Sequence, residues 1–388
     1  MNKFTKTIVY AVVIALFFHV TMVLTGNTHV YKALANTVFK GRLSPSIDEY
    51  TIYHNREVGI GQPQPWEHHS DYNKFLFTQQ EEEIHSQYLT VAFVIIKDNQ
   101  LLFERYYENY SDSSLTNSWS MAKTIISVLI GSAIKEGKIE SMDEKAENYL
   151  PHLKGSNITI KHLLAMSSNI SFSEQYINPF GFAAKALYGE DDFSLVKKYK
   201  PLGNPMQVFD YESGNTLLLS YILKAATGKS VSEYASEKLW KPLGAEHAAL
   251  WSLDGKEGNE RAFCCFNSNA PDFARIGQLY LNKGIWKGDT LIDPAYVNAT
   301  TEFAPLKLEG GEANNQYAYH WWATNFNNEK IFYARGINGQ YIFVIPSQNA
   351  VVVRLGRKRD KEKQQGVPLD AIRFLEMGYR LCQQTSAK

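Results

Sequence analysis

The chain has 388 residues, 44% hydrophobic and 13% aromatic, enough for a sizeable core in one large domain or two ordinary ones. Forty basic residues balance forty acidic ones, so charge makes no case for nucleic acid or for a generally anionic substrate. Three cysteines, Cys264, Cys265 and Cys382, exclude an all-intramolecular disulfide framework, and buried free thiols are the expectation.

Lys3 and Lys6 precede an uncharged run from Thr7 to Gly26, about the length of a bilayer-spanning helix. Residues 1–26 therefore read as a signal peptide or an uncleaved anchor. The expected form is an exported, periplasmic domain anchored in the inner membrane by residues 7–26. Residues 27–85 are polar and turn-rich and read as a connecting segment. His68 and His69 lie here as ordinary surface residues, because an adjacent pair lacks the spacing of a helical metal site. No metal or other cofactor is expected.

Regular structure is predicted from Tyr88. Tyr88–Ile96 and Leu101–Tyr107 form a hairpin around Lys97-Asp98-Asn99-Gln100. Helical patterns follow over Met121–Glu136, Ile160–Met166, Thr216–Ala226 and Ser230–Lys241, with Gly137, Gly228 and Gly244 placed to end three of them. Strands return over Lys330–Ala334, Gln340–Ile345 and Ala350–Leu355, and Val367–Cys382 closes the chain as a helix. Strands at both ends and helices between them predict an α+β fold. Its antiparallel sheet joins the two ends of an 86–388 domain, flanked by helices, with an inserted helical lobe over roughly 120–270.

Ser120-Met121-Ala122-Lys123 opens a helix that stays uncharged from Thr124 to Ile134. Residues three apart share a helix face, and a serine at a helix N-terminus sits where backbone N–H groups favour developing negative charge. A lysine among apolar neighbours suits the role of base to that serine. Two other segments share the spacing, Ser132–Lys135 and Ser194–Lys197. The first lies in mid-helix and the second in a charged, solvated stretch.

Two later segments single out Ser120. Asp210-Tyr211-Glu212-Ser213-Gly214-Asn215 runs into an apolar helix, and its tyrosine hydroxyl suits a proton relay. Arg335-Gly336-Ile337-Asn338-Gly339-Gln340 leads into a strand, where glycines admit close approach to the backbone. The N–H groups of Ser120 and Gln340 would then form an oxyanion hole.

In order and spacing these segments resemble the serine β-lactamase and penicillin-binding superfamily, and within it the class C-like esterases and 6-aminohexanoate-dimer hydrolases. The likeness extends through Ile158–Ser168, Thr227–Ser230, Lys241–Gly244 and Asp272–Gly277, covering roughly residues 85–382. It implies a Ser120 acyl-enzyme with Lys123 and Tyr211 as the proton-transfer pair. It also implies a substrate site at Ser213 and at the triplet Ile337, Asn338 and Gly339. Ser213 replaces an asparagine, and Ile337 stands where a lysine is frequent, so a cation that would meet a substrate carboxylate is missing unless Arg335 turns inward. Such a charge-assisted bond is worth roughly 1.5–3 kcal/mol. Esterase or amidase action on small acyl compounds is the expectation, with β-lactam hydrolysis weak or absent. The loop Tyr176-Ile177-Asn178-Pro179-Phe180-Gly181 is expected to border the pocket through Tyr176, and Trp321 and Trp322 serve as lining or core. The alternatives are a D-alanyl-D-alanine peptidase or transpeptidase and a catalytically idle sensor module. The expected partners are a small ester or amide and the membrane, with no nucleic acid.

Overall fold

The computed structural model describes residues 2–42, 44–176 and 178–385. Ile177 of the aromatic loop lies outside them, as do the outermost residues of the 1–26 and 86–388 segments. Helix α1 (Lys3–Leu24) is capped by Asn2, whose side chain accepts from the Thr5 amide at 2.8 Å. Its length is ~33 Å at the usual rise, and only Met22 along it is buried. Among the described residues it is the one helix long and apolar enough to cross a bilayer, by length and composition.

The connecting segment is more structured than its composition suggests. It holds α2 (His29–Asn36), a strand at His54–Val58, and a helix at Gln79–Gln87 opened by a Thr78–Glu81 capping box. The strand pairs with Ala249–Leu253, almost two hundred residues away, and so short a non-local element leaves no periodic signal. His69 is buried, contrary to the surface reading. Its Nδ1 accepts from the Asp71 amide at 3.0 Å, while exposed His68 stacks on Tyr72.

The main sheet comprises β1 (Thr90–Lys97), β2 (Gln100–Tyr106), β3 (Trp322–Phe326), β4 (Glu329–Gly336), β5 (Gln340–Ile345) and β6 (Ala350–Gly356). The order is β2-β1-β6-β5-β4-β3, antiparallel throughout. The helices that matter to the site are α3 (Met121–Lys135), α4 (Ser213–Thr227), α5 (Ala270–Leu281) and α6 (Leu369–Gln383). Side chains alternate between the two faces of the sheet. Phe93, Ile95, Phe343 and Val352 share a core with Phe374 and Leu381 of α6. Val94, Ile96, Val344 and Val351 share another with Phe273 and Ile276 of α5. Both faces are covered, so β1 and β6 are apolar nearly end to end.

Helices α3 and α4 pack together in the lobe inserted between β2 and β3. The predicted Ser230–Lys241 helix instead changes pitch, from an α segment at Val231–Ala235 to one wider turn at Ser236–Trp240. Cys264 and Cys265 are joined to each other. This corrects the free-thiol expectation for both: the left-handed backbone at Cys265, φ 68°, turns the adjacent side chains together. Cys382 alone is free, and it is buried.

Candidate active site

A small second sheet delivers the candidate nucleophile. Thr116–Asn117 pairs with Phe266–Ser268, and the Ser118 amide donates to the Phe266 carbonyl at 2.8 Å. Buried Asn117 accepts through Oδ1 from the amides of Trp119, at 2.8 Å, and Cys265, at 3.2 Å. It thereby ties the approach to Ser120 to the 263–265 segment. Trp119 is left-handed at φ 47°, a conformation unusual for a bulky residue and typical of strained functional sites.

Ser120 then sits at the cap of α3, and its side chain makes no capping bond. Lys123 is buried one turn on. Its Nζ lies 3.1 Å from Ser120 Oγ and donates to the Phe263 carbonyl at 2.9 Å. The same nitrogen lies over the rings of Tyr211 and Phe263, 5.1 and 5.7 Å from their centroids. Among the described residues no carboxylate comes within ion-pair distance of it. The two decoys are elsewhere: Ser132 bonds the Val128 carbonyl inside α3, and Lys197 covers the Phe193 ring.

Ser120 opens into a cavity of about 280 Å³. One wall is aromatic, with Tyr211 tilted against Trp322 at 5.5 Å and Phe209 edge-on to Trp322 at 6.0 Å. Trp321, by contrast, is core, packed on Tyr280 and Phe332. Behind the aromatic wall, His320 links three segments. Nδ1 bonds the Leu164 carbonyl at 2.9 Å and Nε2 meets Thr216 Oγ1 at 3.0 Å, while the His320 carbonyl accepts from Thr124 of α3 at 2.7 Å. Burial pushes its imidazole down to about 3.

Tyr176 lines the same cavity, and its hydroxyl donates to Glu174 Oε1 at 2.6 Å. Ser213 does not reach the cavity wall. It is buried at the start of α4, where its amide donates to Glu174 Oε2 at 2.8 Å and its hydroxyl bonds the same carboxylate. Glu212 beside Tyr211 is also buried. Desolvation, then the charges of Asp210 and Glu174, push its carboxyl up to about 8.

The wall opposite comes from the end of β4. Gly336 backs directly onto the nucleophile segment, and a Cβ there would collide with the Ser118 carbonyl. Arg335, Gly336 and Ile337 line the cavity. Asn338 and Gly339, at φ 62° and 82°, turn the chain away from it, and their carbonyls accept from Arg354 at 3.2 and 2.7 Å. Gln340 is fully buried, its side chain donating to the Gly356 carbonyl at 2.6 Å. Of the expected triplet only Ile337 touches the cavity, and the residues facing Ser120 start earlier, at Arg335.

Arg335 does turn inward. Its guanidinium lies 3.2 Å from the Trp322 ring centroid and donates to the Gly366 carbonyl at 3.2 Å. Arg359 and Lys363 line the same cavity. Burial, then repulsion from Arg335 and Arg359, lowers the Lys363 ammonium. Among the described residues none of the three forms an ion pair. The expectation of a site without a cation is therefore corrected. Arg359 and Lys363 belong to a charged run that reads locally as solvated, and Asn117 and the Phe263 carbonyl carry no motif.

A serine on a helix cap, a buried lysine on its oxygen and an α+β fold with an inserted helical lobe define a serine hydrolase. The family model described as Beta-lactamase matches residues 76–374, and the chain belongs to that family. It is 25% identical over 317 residues to a 6-aminohexanoate-dimer hydrolase of Paenarthrobacter ureafaciens, covering 74% of this chain and 79% of that one. Its fold is similar to a Bacillus anthracis protein provisionally named a 6-aminohexanoate-dimer hydrolase, with TM-score 0.71, 22% identity, and 86% and 92% of the two chains covered. It is also similar to a family VIII carboxylesterase, with TM-score 0.60, 14% identity, and 79% and 99% covered.

Proposed function

We propose that the chain is an esterase or amidase acting on small acyl compounds through an acyl-enzyme on Ser120. The observation that carries this reading is the Lys123 amine, held between Ser120 Oγ at 3.1 Å and the Phe263 carbonyl at 2.9 Å. Lys123 takes the Ser120 proton as Oγ attacks the acyl carbon. Tyr211, whose ring lies over Lys123, passes a proton to the departing alcohol or amine. Water then releases the acid. The amide groups of Ser120 and Ile337 serve as oxyanion donors, because Ile337 is on the cavity wall and Gln340 is behind it. Tyr176 and Trp322 shape the acyl end.

A second reading, a peptidase acting on a carboxylate-ended peptide, is favoured by the Arg335, Arg359 and Lys363 wall. That wall also removes the ground on which β-lactam turnover was expected to be weak, so a cephalosporin becomes a discriminating substrate. We further place the hydrolase outside the cytoplasm, anchored through residues 7–26. The experiment compares a p-nitrophenyl ester, a linear amide and a chromogenic cephalosporin with wild type and Ser120→Ala. Ester or amide turnover lost in Ser120→Ala supports the proposal, and turnover unaffected by Ser120→Ala contradicts it.

A further inference from the structure

The end of α1 and the mouth of the Ser120 cavity share one short stretch of chain. The Asn27 amide donates to the Met22 carbonyl at 2.8 Å, and the Val30 amide to the Asn27 carbonyl at 3.2 Å, so one tight turn separates α2 from the end of α1. Tyr31 stacks on His19 of α1, with ring centroids 5.9 Å apart. From the same turn, buried His29 bonds the Pro179 carbonyl through Nε2 at 2.8 Å. Pro179 is three residues from Tyr176, which borders the cavity, a reach of at most ~11 Å. Where α1 leaves a bilayer, the loop that walls the cavity is therefore already at the surface.

That face is dressed for such a surface. Beside Pro179, Phe180 is 46% exposed, and Tyr176 is 57% exposed. Tyrosine is enriched at headgroup depth in membrane proteins, and phenylalanine serves on the buried face of interfacial segments. Directly beyond α1, Thr25 and Gly26 join Lys32, Lys185 and Lys198, with the carboxylates Glu190 and Asp191, around a cavity of about 500 Å³. None of these lysines has an ion-pair partner among the described residues. Three lysines against two carboxylates leave this cavity net cationic, and a lysine at that depth is drawn to anionic headgroups by about 1 kcal/mol.

We propose that the mouth of the Ser120 cavity rests on the bilayer and that the enzyme draws its acyl substrate from it. The substrate class is an ester or amide whose apolar chain partitions into lipid. This rests on the serine-hydrolase reading and on α1 spanning the membrane. For an ester, the Ser120 Oγ–acyl bond forms as the acyl–oxygen bond to the alcohol breaks, and the alcohol leaves with the serine proton. Water then adds hydroxyl to the acyl group and returns a proton to Ser120.

The test uses the full chain in phosphatidylcholine vesicles, with and without phosphatidylglycerol. It compares vesicle-embedded p-nitrophenyl palmitate with water-soluble p-nitrophenyl acetate. The variant Phe180→Ser should lose about tenfold on the palmitate, from the apolar area no longer seated in lipid. Its acetate rate, which also reports an intact fold, should be unchanged. Phosphatidylglycerol should raise the palmitate rate, and Lys185→Glu, Lys198→Glu should abolish that gain. Equal rates of wild type and Phe180→Ser on the palmitate, or a chain that does not float with vesicles, would overturn the proposal while acetate turnover keeps the hydrolase reading. Loss of wild-type activity on both esters would instead overturn the hydrolase reading beneath it.

Discussion

The Lys123 side-chain nitrogen is fixed on the carbonyl of Phe263 at 2.9 Å, across 140 residues of chain. The bond aims the side chain at Ser120 and leaves it no carboxylate to neutralise it. A base contributes typically 10²–10⁴-fold to such a reaction. Lys123→Met should therefore lower kcat on p-nitrophenyl acetate by about 10²–10⁴-fold with KM little changed. Lys123→Arg should not rescue it, because a guanidinium cannot give up its proton. Steady-state kinetics with a circular-dichroism melt checks both.

Gly336 meets backbone, not a yielding side chain, so Gly336→Ala must push β4 away from Ser118. Overpacking of this kind costs about 1–3 kcal/mol. The variant should melt lower by differential scanning calorimetry and lose most of its ester turnover.

Arg335, Arg359 and Lys363 line the cavity with three cationic side chains, and the second reading has them meet an anionic end of the substrate. Arg359→Ala and Lys363→Ala should each raise KM about tenfold for an ester carrying a free carboxylate, on the scale of one charge-assisted hydrogen bond. KM for its methyl ester should stay as in wild type. Equal effects on both substrates would contradict the assignment.

Glu212 gives a pH signature. Its folded carboxyl titrates at about 8, and in the unfolded chain at about 4.3. Between these values the unfolded chain has lost a proton that the folded chain retains. The group's contribution is thus greatest below the unfolded value and is lost as pH rises towards 8. Thermal melts from about pH 5 to about pH 8 should show wild type declining relative to Glu212→Gln.

Much of this was legible in the sequence, and the reasons differ by element. The hairpin at β1 and β2, the strands β5 and β6, and the helices α3 and α6 are long and periodic, so their boundaries shift by only a few residues. Ser120 and Lys123 stand one helical turn apart, a spacing that two decoys share, and the segments at Tyr211 and Gly339 were what singled the pair out. The His54–Val58 strand and the Asn117 bridge were not legible, since each takes meaning only from partners far along the chain. At 335–340 the glycines were read as admitting a substrate to the backbone, whereas Gly336 closes onto the Ser118 carbonyl. The backbone also reverses at Asn338 and moves the contact three residues earlier than the motif suggested. Arg359 and Lys363 look like solvated charge until β6 ends and brings them over the cavity.

The central claim is that Ser120 is the nucleophile. Intact-mass and peptide mass spectrometry after a fluorophosphonate probe tests it most directly. The account predicts one adduct, on the peptide carrying Ser120, absent in Ser120→Ala and suppressed in Lys123→Met. A folded wild-type chain with no adduct, or with its adduct on another residue, would contradict it.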